Sequence, residues 1–208
     1  MFEETIKRGV NTENSDFYSF VPRASNKLLE CWVEELNINV KISNPRKTKL
    51  GDFKVSGDDM TVSINNNLNK YSFLITLTHE LAHAFVFKKY NNRVRPHGKS
   101  WQLTFRALML NFLNPDCFPD DILKVLSRHM ISPNASTFTD LELVKVLRKY
   151  DQEVLLVLSD LSYGEVFMDT SSRIFVKGKI NRKRYRCVEQ KTNKVYLFHA
   201  YTEVIKVE

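Results

Sequence analysis

Apolar positions in the first third of the chain alternate between helical and extended spacing. Residues 22–36 place leucine, tryptophan and valine side chains three or four positions apart, which predicts an amphipathic helix. Residues 38–43 alternate between apolar and polar side chains, as a half-buried strand does. Residues 50–65 predict two further short strands, because a Gly-Asp-Asp turn signal at 57–59 divides them. The polar stretch 1–20 is expected to be an irregular lead-in.

A long, uninterrupted helix is predicted over residues 70–90. Its apolar side chains lie on nearly all sides, and a helix of that kind belongs in the middle of a domain. A polar, basic loop at 91–98 separates it from a second predicted helix at 99–113, and a third, short helix is expected within 115–130. This order of elements predicts an α+β domain over residues 21–135.

The pattern changes again after residue 135. Residues 136–152 are expected to form a linker followed by a short amphipathic helix. Residues 153–208 then consist of short β-type runs separated by turn residues, which predicts a small antiparallel β module. The runs that suggest strands are 153–159, 164–169, 172–180, 183–190 and 194–207.

Composition narrows the class of protein. The chain has 208 residues, 43% of them hydrophobic, which suffices for one core and a small second module. The formal net charge of +7 favours an acidic partner, most often nucleic acid. No apolar run resembles a secretory signal or a membrane span, so no membrane partner is expected. The three cysteines are widely spaced and predict no disulfide framework, which favours the cytoplasm.

Two histidines and a glutamate interrupt the long apolar helix. Because residues four apart project from one helix face, His79 and His83 can both bind one Zn²⁺. Glu80 is poorly placed as a ligand, but it can hold a water molecule, accept its proton and later protonate a leaving amine. The alternative is a pair of core histidines satisfied by hydrogen bonds. A charged Glu80 would then need a costly buried partner of its own.

A catalytic zinc usually has three protein ligands, so a third must be found. The metzincin pattern would place a glycine at position 86 and a histidine at 89, where this chain has Val86 and Lys89. A glutamate ligand would have to be Glu142, which lies beyond the linker. His97 remains, between a proline and a glycine and just before the next helix. The alternative for His97 is an ordinary histidine of a surface loop.

The segment HELAHA at 79–84, followed by PHGKSW at 96–101, resembles the SprT-like (Spartan-like) zinc metalloprotease family over roughly residues 20–115. The resemblance implies a zincin-like α+β fold: an N-terminal helix, a small mostly antiparallel sheet, the HExxH helix and further helices. It also implies DNA-dependent proteolysis of proteins crosslinked to DNA, as a step in DNA repair, in the bacterial cytoplasm or nucleoid. The implied zinc ligands are His79, His83 and His97, and the implied catalytic acid/base is Glu80.

The C-terminal module departs from the bacterial relatives that end in a zinc ribbon with two C-x-x-C knuckles. YRCVEQ resembles the second knuckle, but Gln190 occupies the position of its second cysteine, and the chain has no C-x-x-C. A single cysteine cannot build a tetrahedral structural site, so one zinc per chain is expected. The ribbon-like shape would then depend on packing of Phe175, Tyr185, Val195, Tyr196 and Phe198.

The same module concentrates the positive charge. Nine basic residues and one acid give residues 173–194 a charge of +8. Basic side chains neutralise phosphates and interleaved aromatic rings can stack on unpaired bases, which predicts DNA binding without sequence specificity. The alternative is a solvated, charged face. The candidate contacts are Arg173, Lys177, Lys179, Arg182, Lys183, Arg184, Arg186, Lys191 and Lys194, with Arg93 and Arg95 near the metal.

Three functions are compatible with these residues. The first is a zinc protease that acts on proteins attached to DNA, so that tethering replaces sequence specificity. The second is a non-proteolytic zinc- and nucleic-acid-binding protein linked to transcription or DNA repair. A purely structural zinc site, however, normally has four protein ligands and no need of Glu80. The third is a metallopeptidase for small peptides, with the tail as a structural cap.

Overall fold

The computed structural model describes residues 17–46, 49–134, 140–152, 155–182 and 184–207. The chain divides into two compact units, residues 1–151 and 152–208. Within these described ranges, the first unit contains five α-helices and one sheet and the second a five-stranded sheet, which confirms the α+β class. Among the described residues, no helix has both the length and the apolar composition needed to cross a membrane.

The first α-helix among the described residues is α1, Asn26–Leu36, which starts later than the predicted residue 22. Arg23–Ser25 instead form a single 3-10 turn, in which the Ser25 hydroxyl donates to the carbonyl of Pro22 over 2.7 Å. Helix α1 ends at Asn37, whose φ of 51° turns the chain directly into strand β1.

The sheet of the first unit has three strands in the order β1-β3-β2. Strands β1 (Ile38–Ser43), β2 (Gly51–Ser56) and β3 (Asp59–Asn65) lie where the alternation predicted them. β2 and β3 form the expected antiparallel hairpin, but β3 also pairs in parallel with β1. The small sheet therefore contains one antiparallel and one parallel pairing, with its most buried strand, β3, between the other two. β2 is an edge strand.

Helix α2, Lys70–Tyr90, has the bounds that the sequence predicts. The side chain of Asn69 caps its first turn by accepting from the backbone N–H groups of Tyr71 and Ser72. Buried residues lie on several sides of α2, as expected for a helix that packs against the sheet on one side and other helices on the other. The remaining helices are α3 (Lys99–Leu110), α4 (Asp120–His129) and α5 (Leu141–Arg148).

The second unit is one antiparallel sheet in the order β7-β6-β5-β4-β8. Its strands are β4 (Val166–Met168), β5 (Ile174–Asn181), β6 (Arg184–Glu189), β7 (Val195–His199) and β8 (Ile205–Lys206). The strand predicted over 153–159 is wrong for its described part, where an isolated bridge at Val157 precedes a 3-10 turn at Leu158–Asp160. The linker residues 135–139 lie outside the described residues, so the predicted linker is described only in part.

Phe167, Phe175 and Cys187 form the core of this sheet, with Tyr196 and Phe198 packed against them. The packing role predicted for Val195 is wrong. Val195 is 50% exposed, because side chains alternate along β7 and it points away from the side of Tyr196 and Phe198.

Candidate metal centre

His79 and His83 lie one helical turn apart on α2, and their side chains leave the same face of the helix. Their Nε2 atoms are 3.3 Å apart. The apolar surroundings that fix α2 in the middle of the unit also shield both half-buried rings from much of the surrounding water. Burial is the main reason why the pKa of His79 falls to about 3 and that of His83 to about 4. Both rings are therefore neutral at physiological pH, which is the protonation state of a metal ligand.

A tight turn brings His97 to these two residues. The backbone N–H of Gly98 donates to the carbonyl of Arg95 over 3.0 Å, with Pro96 and His97 at the two central positions. His97 has a φ of 56°, so it occupies the left-handed position that type II turns normally give to glycine. Gly98 is needed for the close approach, since a Cβ there would lie 2.9 Å from the carbonyl oxygen of Arg95.

The three histidines form a triangle of nitrogen atoms. The Nε2 atom of His97 lies 3.2 Å from that of His79 and 2.9 Å from that of His83. Three neutral rings cannot satisfy one another in this arrangement, because each Nε2 is either a donor or an acceptor and at least one pair must be alike. Among the described residues, these three form the group that can hold a metal ion. A tetrahedral metal ion held by these three nitrogens would take its fourth ligand from outside the chain.

The ring of Trp101 packs against all three histidine rings. It is fully buried, lies one turn into α3, and its ring centroid is 4.6, 5.4 and 4.7 Å from those of His79, His83 and His97. Its indole N–H donates to the backbone carbonyl of His79 over 3.4 Å. The sequence identified Trp101 only as the last residue of the PHGKSW segment. Its position four residues after His97 was the available signal that both belong to one site.

Glu80 lies beside the triangle with its carboxylate against the start of β2. The residue is 8% exposed, and burial, reinforced by the nearby charge of Asp52, raises its pKa to about 7. Arg46 and a hydrogen bond from the backbone N–H of Phe53 oppose this shift. A Cβ at Gly51 would lie 2.8 Å from Oε1 of Glu80, so the strand touches the carboxylate directly.

Replacing Gly51 with alanine should misplace this carboxylate without disturbing the histidines. The added methyl group would meet Oε1 of Glu80 and Cγ2 of Thr76, each at 2.8 Å. A displacement of about 1 Å can lower a rate by about 100-fold, so any hydrolytic activity of the site should fall by about 10- to 100-fold with metal content unchanged. Ser56→Ala, at the exposed end of the same strand, is the matched control. Full activity of Gly51→Ala would contradict a role for this contact.

Replacing His97 with glycine should remove a ligand and stabilise the metal-free protein. Glycine adopts a φ of 56° without strain, whereas histidine and alanine do not. His97→Ala removes the same ring and keeps the strain, so it is the control. In denaturant titrations of metal-free protein, His97→Gly should exceed His97→Ala by about 1 kcal/mol in free energy of unfolding. Equal stabilities would mean that the turn relaxes when the ring is lost.

Arg93 and Arg95, in the loop that leads to His97, are both exposed. In the second unit, the basic residues predicted to contact nucleic acid differ in exposure and in ion pairing. The structure excludes Lys177, which is 5% exposed and donates from Nζ to the carbonyl of Leu161. Arg173 forms an ion pair with Asp169 at 2.8 Å, so part of its charge is already compensated. Lys183 lies outside the described residues. The remaining candidates are exposed: Lys179, Arg182, Arg184, Arg186, Lys191 and Lys194.

The aromatic rings between these basic residues do not face solvent as a stacking surface. Phe175 is fully buried, and Tyr185 and Tyr196 pack against the same core cluster. The reason is strand alternation, which places these rings on the inner face of the sheet. These three rings therefore offer little stacking surface, and contacts of the neighbouring basic residues would be with phosphates.

A family model described as the SprT-like family matches residues 22–117, which include all three histidines, Glu80, Gly51 and Trp101. No curated protein matches the chain at a significant level. The match begins just before α1 and ends beyond α3, so it covers the sheet and both helices that build the triangle. Residues 22–117 therefore form a domain of the SprT-like family.

Proposed function

We propose that the protein is a zinc-dependent metallopeptidase that cleaves proteins attached to DNA. The observation that carries the proposal is the triangle of three neutral histidines with the buried carboxylate of Glu80 beside it. Three protein ligands with an open fourth position are typical of catalytic rather than structural zinc sites. The acidic side chain directly after the first ligand is the general base that this arrangement requires.

The donor set and its spacing fit zinc. In a tetrahedral site with zinc–nitrogen distances of about 2.0–2.1 Å, two ligand nitrogens lie about 3.3 Å apart. The three Nε2 separations of 3.3, 3.2 and 2.9 Å are close to that value. Zinc, when bound, supplies Lewis acidity that polarises a carbonyl group and lowers the pKa of water.

The chain's own residues supply the remaining chemistry. A base works best when its pKa lies near the working pH, and in the metal-free protein burial raises the pKa of Glu80 to about 7. Glu80 can therefore accept a proton from an attacking water molecule and pass it to the leaving amine. The contact with Gly51 restricts where its carboxylate can lie. Trp101 excludes water from below the three rings and holds their orientation.

DNA is the proposed tether for the substrate. The exposed Arg93 and Arg95 lie in the loop that ends at His97, so a phosphate backbone bound there would lie close to the triangle. Exposed basic residues of the second unit add further positive charge. Tethering raises the effective concentration of an attached protein at the site, which removes the need to recognise its sequence.

The experiment is cleavage of one small protein in three forms: crosslinked to a DNA duplex, mixed with the duplex, and alone. We expect cleavage of the crosslinked form to be about tenfold faster or more, and to fall steeply between about 50 and 200 mM salt. Arg93→Glu/Arg95→Glu should reduce this advantage, with Lys27→Glu on α1 as the control. Equal rates for all three forms would indicate a peptidase without DNA dependence. No cleavage by zinc-loaded protein that still binds DNA would indicate a binding protein.

A further inference from the structure

The two faces of the C-terminal sheet differ sharply. Phe167, Phe175 and Cys187 are fully buried on the inner face. Because side chains alternate along each strand, their neighbours point to the opposite side, which we call the outer face. Its residues on β4 to β8 are half-buried or exposed, although most of them are aliphatic.

A continuous row of valines crosses this outer face. Strand register places Val195 opposite Val188, Val188 opposite Val176, and Val176 opposite Val166. The row continues at the far edge, where the backbone N–H of Val207 donates to the carbonyl of Val166. Directly opposed side chains on neighbouring strands are in contact, so these five valines form one apolar band.

Further aliphatic side chains widen the band on both sides. Ile174, Met168 and Ile205 are aligned across β5, β4 and β8, and Leu197 lies two residues beyond Val195 on β7. Leu197 is 52% exposed and Ile205 58% exposed. Isolated exposed aliphatic residues are ordinary, but a contiguous aliphatic patch on a sheet is typical of a surface that another molecule covers.

Two arginines border the band. Arg186 lies opposite Leu197 and Arg184 opposite His199, so both belong to the outer face, and both are exposed. No ion pair joins either arginine to another of the residues that the structure describes. The acid of this face, Glu203, lies two residues before Ile205, at the opposite edge of the sheet. A partner would therefore meet aliphatic side chains and, at one end, two uncompensated positive charges.

These properties favour one kind of partner. Nucleic acid gains nothing from an aliphatic band, and the aromatic rings of the strands, on which bases could stack, are on the inner face. A second copy would gain little: with strands about 4.8 Å apart the band measures roughly 20 by 15 Å, so pairing would bury about 600 Å², well below the size of a stable interface. A short segment with aliphatic residues and carboxylates matches both the area and the charge.

We propose that the outer face is a docking surface for an acidic protein segment, one that presents aliphatic side chains to the valine band and carboxylates to Arg184 and Arg186. The area predicts a weak, reversible complex rather than a permanent one. The assignment also separates two functions within the basic module. Arg184 and Arg186 serve the protein partner, while the exposed basic residues of the two hairpin turns, such as Arg182 and Lys191, remain available to phosphates.

Selection of random twelve-residue peptides displayed on phage, with the full chain as bait, tests the proposal independently of any proteolysis. We expect enriched peptides to combine aliphatic residues with aspartate or glutamate. Binding of the synthetic peptides should weaken about tenfold or more in Leu197→Asp and remain unchanged in Leu103→Asp, which alters an equally exposed leucine on α3 (53% exposed). Selection on Arg184→Glu/Arg186→Glu should instead enrich basic peptides. Circular dichroism and melting temperature verify that each variant is folded.

Four outcomes would overturn the proposal. The first is that no peptide is enriched. The second is that the enriched peptides bind Leu197→Asp as tightly as the parent chain. The third is a loss of duplex DNA binding in Leu197→Asp, which would make the outer face a nucleic-acid surface. The fourth is a dimer in sedimentation equilibrium that Leu197→Asp dissociates, which would make the occupant a second copy of the chain.

Discussion

Replacing Glu80 with glutamine is expected to abolish cleavage while leaving the metal in place. Glutamine keeps the shape of the side chain but cannot accept a proton from water, and a positioned base contributes about 10²- to 10⁴-fold to a rate. The three ring nitrogens are untouched, since Glu80 is not one of the converging ligands. Turnover of a DNA-crosslinked protein should fall by about 10³-fold at equal zinc content, measured by atomic emission. Glu34→Gln, an exposed glutamate on α1, is the control.

The same variant should be more stable than the parent at neutral to alkaline pH when both are metal-free. The folded-state pKa of Glu80 is raised from 4.5 to about 7, so its contribution is complete below pH 4.5 and lost as pH rises through about 7. A shift of about two and a half pKa units corresponds to about 3 kcal/mol, which Glu80→Gln should recover at pH 8 and not at pH 4. Denaturant titrations at both pH values measure this. Equal stability of the parent and Glu80→Gln at pH 8 would indicate that water reaches the carboxylate of Glu80.

Titration of His79 and His83 does not affect the stability difference between the parent and Glu80→Gln. Their pKa values are lowered, so their contribution is complete above about pH 6.5 and declines as pH falls through about 4 for His83 and about 3 for His79. Both proteins share this acid window, and it cancels in the difference between them. Only the parent loses stability as the pH rises through about 7.

Replacing His83 with alanine is expected to eliminate tight metal binding. A residue that only hydrogen-bonds to a metal-binding side chain already contributes about 10- to 100-fold to metal affinity. Loss of one of the three histidines should therefore weaken metal binding by more than that. A metal ion present at 100 times its dissociation constant stabilises the folded state by about 2.7 kcal/mol. Added zinc should therefore raise the melting temperature of the parent and not that of His83→Ala.

His199→Ala, in β7 of the other unit, is the matched control for loss of a histidine. It should retain the response to zinc in full. A zinc-dependent rise in melting temperature that survives His83→Ala would mean that the metal binds elsewhere, and the catalytic proposal would fail with it. The metal measurement does not depend on finding a substrate, so it separates a failed metal site from a failed protease.

The parts of the site that follow from local geometry were predictable. His79 and His83 share a helix face because they are four residues apart, and the bounds of α2 followed from the absence of any helix breaker. His97 could be proposed because Pro96 and Gly98 predict a tight turn directly before a helix. The close approach of its nitrogen to the other two depends on packing, and the sequence alone left a surface histidine as the alternative.

The parts that depend on long-range contacts were not predictable. Gly51 and Glu80 are distant in the chain and meet only because β2 is the edge strand that runs beside α2. The parallel pairing of β1 with β3 had no local signal. Lys177 was counted as a surface charge because charge runs ignore strand alternation, whereas its position between inner-face neighbours buries it. Which face a basic residue occupies follows from register, and register is a property of the folded sheet.

The turn at His97 also constrains how the sequence can evolve. Its left-handed conformation is comfortable for glycine and strained for histidine, so the residue that the proposed metal site needs there is one that the backbone disfavours. Every substitution of His97 by glycine would be stabilising and inactivating at once. In a lineage released from selection for metal binding, stability should favour glycine at position 97, whereas the helical backbone at His79 and His83 gives glycine no such advantage. A glycine at position 97 of a descendant sequence would thus mark a chain that no longer needs this ring.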